Sequence, residues 1–318
     1  MQLAKEFSTL DYIIRRAQRV LLVAHNSPDG DTSGAVLALD AFFSSLGKKA
    51  TIACNDPLPS FLAPLTERSF LPLTGLDLSS YDAAIACDSV ERGFEKILTL
   101  LNPDCVTVIV DHHPDITLPA DVVIIDPQRS SACEIIYEYL VAKNHPISKE
   151  IATFLLIGIL SDTGSLQHAN TTGRVMEIAS DLLKRGAMLS KIVSATFANK
   201  KISTLRLWGR AFEKAKINHQ NGMIATVITE KDITECGAST EDISYVASAL
   251  NTVPGTKFAL VLSERPDGKI KGSLRSEAYK GVDVSEIAHA FGGGGHKLAS
   301  GFEVKGRLVE TKSGWEIV

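Results

Sequence analysis

Aromatic residues make up only 6% of this 318-residue chain, and cysteines number five. Cys54, Cys87, Cys105, Cys133 and Cys236 are odd in number and widely spaced, with no Cys-x-x-Cys pair, which excludes a disulfide framework and a cysteine zinc clip. Cys87 and Cys105 fall inside apolar runs and read as small buried hydrophobes. So little aromatic surface argues against processive gripping of long single strands, which depends on stacking platforms. The strongly apolar stretches, such as Phe154–Leu160, fall far short of the roughly 20 residues a membrane helix needs. The first residues, Met-Gln-Leu-Ala-Lys-Glu, show no signal-peptide core, so no membrane association and a cytoplasmic location are expected.

What is present suits an ordinary globular protein: 45% hydrophobic and 22% charged residues, without repeats or low-complexity tracts. The length exceeds one average domain and predicts two. The net charge of −4 is uneven, because residues 1–195 hold 16 Lys and Arg against 23 Asp and Glu, whereas residues 196–318 hold 17 against 14. An acidic first part and a mildly basic second fit a metal-bearing domain paired with one that grips an anion.

The first part alternates short Val/Ile/Ala-rich runs with longer amphipathic segments, the pattern of βα units around a parallel sheet. Strands are expected at Arg19–His25, Ala50–Cys54, Ala83–Asp88, Thr107–Asp111 and Val122–Ile125, and helices at Thr32–Leu46, Glu91–Leu101, Cys133–Asn144, Lys149–Leu160 and Thr172–Arg185. This is an α/β class with a Rossmann-like, mostly parallel sheet in residues 1–195. A polar, basic helical stretch over 196–216 reads as a linker. Residues 217–318 form a smaller α+β domain, with strands at Met223–Thr229, Phe258–Glu264 and Lys271–Arg275 and a helix at Val284–Phe291.

The segment from Leu21 to Gly34 carries His25, Asp29 and Asp31 off one strand end into a turn made by Pro28 and Gly30. Asp31 stands just before the expected helix start, where capping alone would explain it, but capping gives no reason for His25 and Asp29 to share that turn. Asp88 ends a second buried strand, and Asp111, His112 and His113 end a third. In open α/β sheets ligands bind outside the carboxyl ends of the strands, so these groups should surround one crevice. Asp162 follows the apolar run Phe154–Leu160 and adds a further carboxylate. Carboxylates so crowded repel unless cations neutralise them, and imidazoles among them favour a transition metal. The ligand count suits two divalent ions, with Mn²⁺ preferred over Mg²⁺ and with Co²⁺ also compatible.

His25-x-x-Pro28-Asp29-x-Asp31, the isolated Asp88, Asp111-His112-His113 and Asp162-Thr163-Gly164 resemble the four motifs of the DHH phosphoesterase superfamily, in order and in spacing. Ser273-Leu274-Arg275-Ser276 and Gly292-Gly293-Gly294-Gly295-His296-Lys297-Leu298-Ala299-Ser300-Gly301 resemble the DHH-associated domain of its oligoribonuclease, pAp-phosphatase and RecJ-like branch. The resemblance implies that His25 and Asp29 bind one metal, that Asp31, His112 and Asp162 bind the other, and that Asp88 bridges them. It makes Asp111 the carboxylate behind a ligating imidazole, and it sets His113 against the scissile phosphate or the leaving oxygen. It also places the active site in the cleft between the two domains and suggests a homodimer. Ser300 and Leu166 depart from the pattern, which would leave nucleotide contacts to His168 or Asn170.

Four consecutive glycines permit positive φ and expose amides as an anion nest, so Gly292, Gly293, Gly294, Gly295 and His296, with Lys297, read as a phosphate or nucleotide site; Arg275 and Ser276 would hold a second phosphate. Lacking the extra length of RecJ-type nucleases and the membrane segments of cyclic-di-AMP phosphodiesterases, the chain fits the compact branch. Its expected substrates are short RNA oligonucleotides and pAp. Cyclic or linear di-adenylate, single-strand exonuclease action and a non-catalytic nucleotide sensor are the alternatives.

Overall fold

The computed structural model describes every residue except 1, 2, 89, 92, 115, 197–199, 244, 312 and 313. It divides into two compact units, Met1–Ala198 and Asn199–Val318.

The first unit runs α1 (Ala4–Arg16), β1 (Arg19–Val23), α2 (Gly30–Ser45), β2 (Lys49–Ala53), β3 (Ala83–Cys87), α3 (Phe94–Leu98), β4 (Val106–Asp111), β5 (Val122–Ile125), α4 (Ala132–Ala142), α5 (Lys149–Asp162), α6 (Gly173–Lys184) and α7 (Leu189–Thr196). The five strands are parallel, in the order β2-β1-β3-β4-β5. Both faces are covered, which is why the strands read as unbroken apolar runs: Val20 and Leu22 pack with α1, α2, α4 and α5, while Leu21 and Val23 pack with α3 and the loops on the other face. The chain leaves the centre in opposite directions from β1 and β3. The carboxyl ends of those two strands therefore open a crevice at the reversal of strand order.

α2 and α5 lie buried, and nearly every residue of each is apolar or small, as a helix enclosed on all sides requires. They cross closely because glycines meet at the crossing. A Cβ on Gly34 would stand 2.6 Å from the Phe154 carbonyl oxygen, and one on Gly158 would stand 2.5 Å from Asp31 Oδ1.

Several elements differ from the sequence expectation. α1 and α7 were not anticipated, although Phe7, Leu10, Ile13 and Ile14 form a helical stripe that α1 buries. The helix expected at Glu91–Leu101 contracts to Phe94–Leu98, and Arg92 lies outside the described residues. α5 runs two residues past the expected end at Leu160, so Asp162 is its last helical residue.

The second unit holds α8 (Ile202–Glu213), β6 (Lys216–Asn218), β7 (Met223–Ile228), α9 (Glu230–Cys236), α10 (Val246–Asn251), β8 (Phe258–Glu264), β9 (Lys269–Ser276), α11 (Val284–Ala290), β10 (Gly294–His296), β11 (Ala299–Lys305), β12 (Leu308–Thr311) and β13 (Gly314–Ile317). Its mixed sheet has the order β10-β11-β9-β8-β7-β6, and β12 pairs with β13. The stretch expected to be a linker contains α8, whose Leu207 and Ala211 are buried in this unit's core with Ile224, Val246 and Ala259. Residues 197–199 of that stretch lie outside the described residues. Among the described residues no helix is long and apolar enough to cross a membrane.

Gly34→Ala tests the close crossing. The methyl group has no room beside a backbone carbonyl, so a destabilisation of about 1–3 kcal/mol is expected, read as a lower urea midpoint with an unchanged m-value. An unchanged midpoint contradicts the packing described.

Candidate metal centre

The parallel strands deliver their chemistry just beyond their carboxyl ends. His25 follows β1 and is 4% exposed, and its Nδ1–H donates to the Asn26 carbonyl at 2.7 Å. The turn then reaches Asp29, whose Oδ1 accepts from the amides of Asp31 (3.0 Å) and Thr32 (3.1 Å) and so caps α2. The expected helix start at Thr32 moves back to Gly30, so the cap is Asp29 and the capping alternative for Asp31 falls away. Asp31, in the first turn, is fully buried. Its Oδ2 and Oδ1 accept from the amides of Ala132 (2.6 Å) and Cys133 (3.0 Å), which open α4. Those amides carry the positive end of the α4 dipole and stabilise a carboxylate with no contact to water.

Asp88 follows β3 with φ at +59°, a left-handed conformation rare for any residue but glycine. Holding it there costs about 1–3 kcal/mol, offset in part by the sheet-like bond from its amide to the Val110 carbonyl at 3.0 Å. The conformation aims its two carboxylate oxygens at different imidazoles. Oδ2 lies 3.6 Å from His25 Nε2, and Oδ1 lies 3.6 Å from His112 Nε2.

Around that shared carboxylate stand two sets. His25 Nε2 is also 3.8 Å from Asp29 Oδ2. His112 Nε2 is 3.2 Å from Asp162 Oδ2 and 3.8 Å from Asp31 Oδ2. One donor atom from each of His25, Asp29 and Asp88 lies within 4.8 Å of the others, and the same holds for Asp31, His112 and Asp162. Donors at about 2.1 Å from one ion are about 3.0 Å apart at right angles and about 4.2 Å apart across it, so these spacings suit a cation between them.

The imidazole hydrogen bonds supply a further fit. His112 Nδ1–H donates to the Arg129 carbonyl at 3.3 Å, as His25 Nδ1–H does to Asn26. A neutral ring so held presents an Nε2 lone pair to carboxylate oxygens. Buried His25 Nε2 makes no hydrogen bond at those distances. Two lone pairs facing one another need a proton or a metal ion between them, and an oxygen and imidazole donor set suits a divalent ion of the Mn²⁺ type.

Titration reflects the same crowding. Burial would lower the His25 pKa, but Asp29 and Asp88 outweigh it and raise it to about 10, and Asp162 and Asp88 raise that of His112 well above the usual range. Burial, with the Asp162 and Asp88 charges, holds Asp31 well above a normal carboxylate. Burial also lifts Asp162 to about 6, against the pull of His112. Asp88 alone goes well below the usual range, since the two imidazoles outweigh its burial.

Asp111, fully buried, was expected behind a ligating imidazole. It instead supports His113: its Oδ1 accepts from His113 Nδ1 (2.8 Å) and from the amides of His112 (2.7 Å) and His113 (2.9 Å), and its Oδ2 accepts from the Val90 amide. The ring of His112 is oriented by a residue that sequence reasoning did not single out, Arg129, through its carbonyl. His168 and Asn170 both turn back onto the Asp162 carbonyl, at 3.3 and 3.2 Å, and Leu166 packs against the core.

In the second unit, strand register sets what shares a face. Arg275 pairs with Ala299, which pairs with His296, so Arg275, Ala299 and His296 lie on one face, followed by Ser273, Gly301 and Gly294 in the next row. Small residues thus separate the Arg275 guanidinium from the His296 imidazole. Ser276 falls on the opposite face, buried, and its hydroxyl donates to the Lys257 carbonyl at 2.9 Å. The glycine run is less open than the nest expectation: Gly292, at φ +73°, ends α11, the Gly292 and Gly293 amides donate to the His289 and Ala288 carbonyls, and Gly294–His296 is an edge strand. Tyr245 feels the charge of Arg275 and packs against Lys200. The Lys200 ammonium stands 5.1 Å from the Tyr245 ring centre, and burial lifts the Tyr245 hydroxyl to about 12 against the Arg275 charge.

Comparison with known proteins gives this arrangement a class. Residues 19–159 match the DHH family N-terminal domain and residues 219–312 the DHHA1 domain. The chain belongs to the DHH superfamily of phosphoesterases, with a C-terminal DHHA1 domain. It is 28% identical to the bifunctional oligoribonuclease and PAP phosphatase NrnA of Thermus thermophilus, over 90% of this chain and 84% of that protein. It is also 28% identical to the Bacillus subtilis protein of the same name, over 90% and 89%. An exopolyphosphatase-related protein of Bacteroides fragilis shares the fold, with a TM-score of 0.86 and 24% identity over 95% of this chain and 92% of that one.

Metal uptake should release protons. His25 keeps its proton up to about pH 10 without metal and must lose it to coordinate, so at pH 8 binding expels it and apparent affinity rises with pH. Calorimetry of Mn²⁺ binding in two buffers of different ionisation enthalpy should give different heats; equal heats contradict this account.

Proposed function

We propose that this protein is a two-metal phosphoesterase that hydrolyses short oligoribonucleotides to mononucleotides and removes the 3′-phosphate of pAp. The observation that carries the reading is the Asp88 carboxylate, which splits its two oxygens between His25 and His112 at equal distances of 3.6 Å. His25, Asp29 and Asp88 would hold one ion, and Asp31, His112, Asp162 and Asp88 the other, with Mn²⁺ the ion the mixed donors suit best. Two such ions supply an activated water and neutralise the charge that builds on a phosphoryl group.

The chain's own groups do the rest. Asp111 locks the His113 ring through Nδ1, so that Nε2 would meet the scissile phosphate or pass a proton to the leaving oxygen. Arg275 and His296, on one face of the second unit's sheet, supply a guanidinium and an imidazole as donors to the substrate's remaining phosphate, and the small residues between them leave room for it. A single short phosphate site of this kind accepts pAp and the end of a short RNA alike. The activities in the names of the Thermus and Bacillus relatives agree with it.

Purified protein with Mn²⁺ should release mononucleotides from di- to pentaribonucleotides and AMP from pAp. Release from neither substrate contradicts the reading, and cleavage of cyclic di-AMP alone moves it to the di-adenylate branch. Asp88→Asn keeps the side-chain shape and tolerates the left-handed backbone, and it should lower turnover at least about a hundredfold. Near-normal turnover excludes a bridging role.

A further inference from the structure

The two metal positions are supported from different parts of the chain, and one of them hangs on a single turn. Glu134 sits at the third helical position of α4 and is 2% exposed. A glutamate there ordinarily reaches back to the amide of the capping residue, here Ser131. Glu134 reaches one residue further. Its Oε2 accepts from both the amide and the hydroxyl of Ser130, each at 2.8 Å, while the Ser131 hydroxyl caps the Glu134 amide at 3.1 Å.

That pair of hydrogen bonds to Ser130 pins a turn that touches two residues of one set directly and reaches the third through Asn170. On one side of Ser130, the Arg129 carbonyl receives His112 Nδ1–H and so selects Nε2 as the coordinating nitrogen. On the other side, the Ala132 and Cys133 amides hold the two oxygens of Asp31. The Ser130 carbonyl itself accepts from Asn170 Nδ2 at 3.3 Å, and the same Nδ2 donates to the Asp162 carbonyl at 3.2 Å. The other set is held from elsewhere: His25 by the Asn26 carbonyl, Asp29 by the amides it caps, and Asp88 by the Val110 carbonyl.

We propose that Glu134 is a positioning residue for the Asp31–His112–Asp162 metal position and not for the His25–Asp29 position. The proposal rests on the two-metal reading above. Glu134 touches neither an ion nor substrate; it fixes the turn that fixes three ligands, so its loss should loosen one position selectively. A carboxylate with a merely structural role in α4 would weaken both positions or neither.

The test is calorimetric titration of metal-stripped, full-length protein with Mn²⁺. The wild type should take up two ions. Glu134→Ala should keep one uptake at wild-type affinity and weaken the other by about 10–100-fold, the range typical of lost support behind a metal ligand. Glu134→Gln, whose amide oxygen can accept the same two bonds from Ser130, should restore the second uptake to within a few-fold. If Glu134→Ala does not fold, Asn170→Ala releases the same turn from its exposed side and should weaken the same single uptake. Equal weakening of both uptakes, no change in either, or no restoration by Gln overturns the proposal. A wild type that binds fewer than two ions refutes the two-metal reading itself, and this inference with it.

Discussion

Buried carboxylates crowd one another around Asp88, and that repulsion is the constraint the rest of the first unit answers. Asp31 and Asp88 are cut off from water, and Asp29 and Asp162 stand within a few ångströms of the same imidazoles. Burial of an ionised carboxylate without compensation is prohibitively costly. The protein compensates with fixed backbone dipoles where it can, at the start of α4 for Asp31 and of α2 for Asp29. What remains is left to a mobile positive charge, a proton in the metal-free protein and a divalent ion in the working one. The elevated pKa values of His25 and His112 are the proton's version of the same answer.

The scaffold is arranged to hold this tension. A parallel sheet lets three neighbouring strands end on one side, and the reversal of strand order between β1 and β3 opens the crevice there. The close crossing of α2 and α5 brings Asp31 and Asp162 in from the helices, and the Thr32 hydroxyl ties α2 to the Cys87 carbonyl at 2.8 Å, immediately before Asp88. The left-handed backbone of Asp88 is held by its amide, which donates to the Val110 carbonyl of the neighbouring strand. The same conformation that is strained is the one that turns its two carboxylate oxygens toward His25 and His112.

The strand-end groups His25, Asp88 and His112 were legible in sequence because runs covered on both faces are continuous and their ends are marked by the first polar residue. The class of the fold followed from the same alternation. Other parts were not legible. Asp29 and Asp31 are equally good caps by residue type, and only the α4 amides, about a hundred residues on, decide between them. Nothing local marks Asp88 for positive φ, or the Arg129 carbonyl as the partner of His112. The four glycines suggested an exposed amide nest, yet pairing with β11 turns two of them, together with His296, into an edge strand, a tertiary contact that composition does not encode. The opposite facing of Arg275 and Ser276, by contrast, follows from the two-residue period of any strand and could have been read at once.

The central claim is that two ions share Asp88. Diffraction from crystals of the protein grown with Mn²⁺, recorded at the manganese absorption edge, tests it directly. The account predicts two anomalous peaks about 3.5–4 Å apart, one among His25, Asp29 and Asp88 and the other among Asp31, His112, Asp162 and Asp88. A single peak, or peaks that leave Asp88 without contact to both, would contradict it.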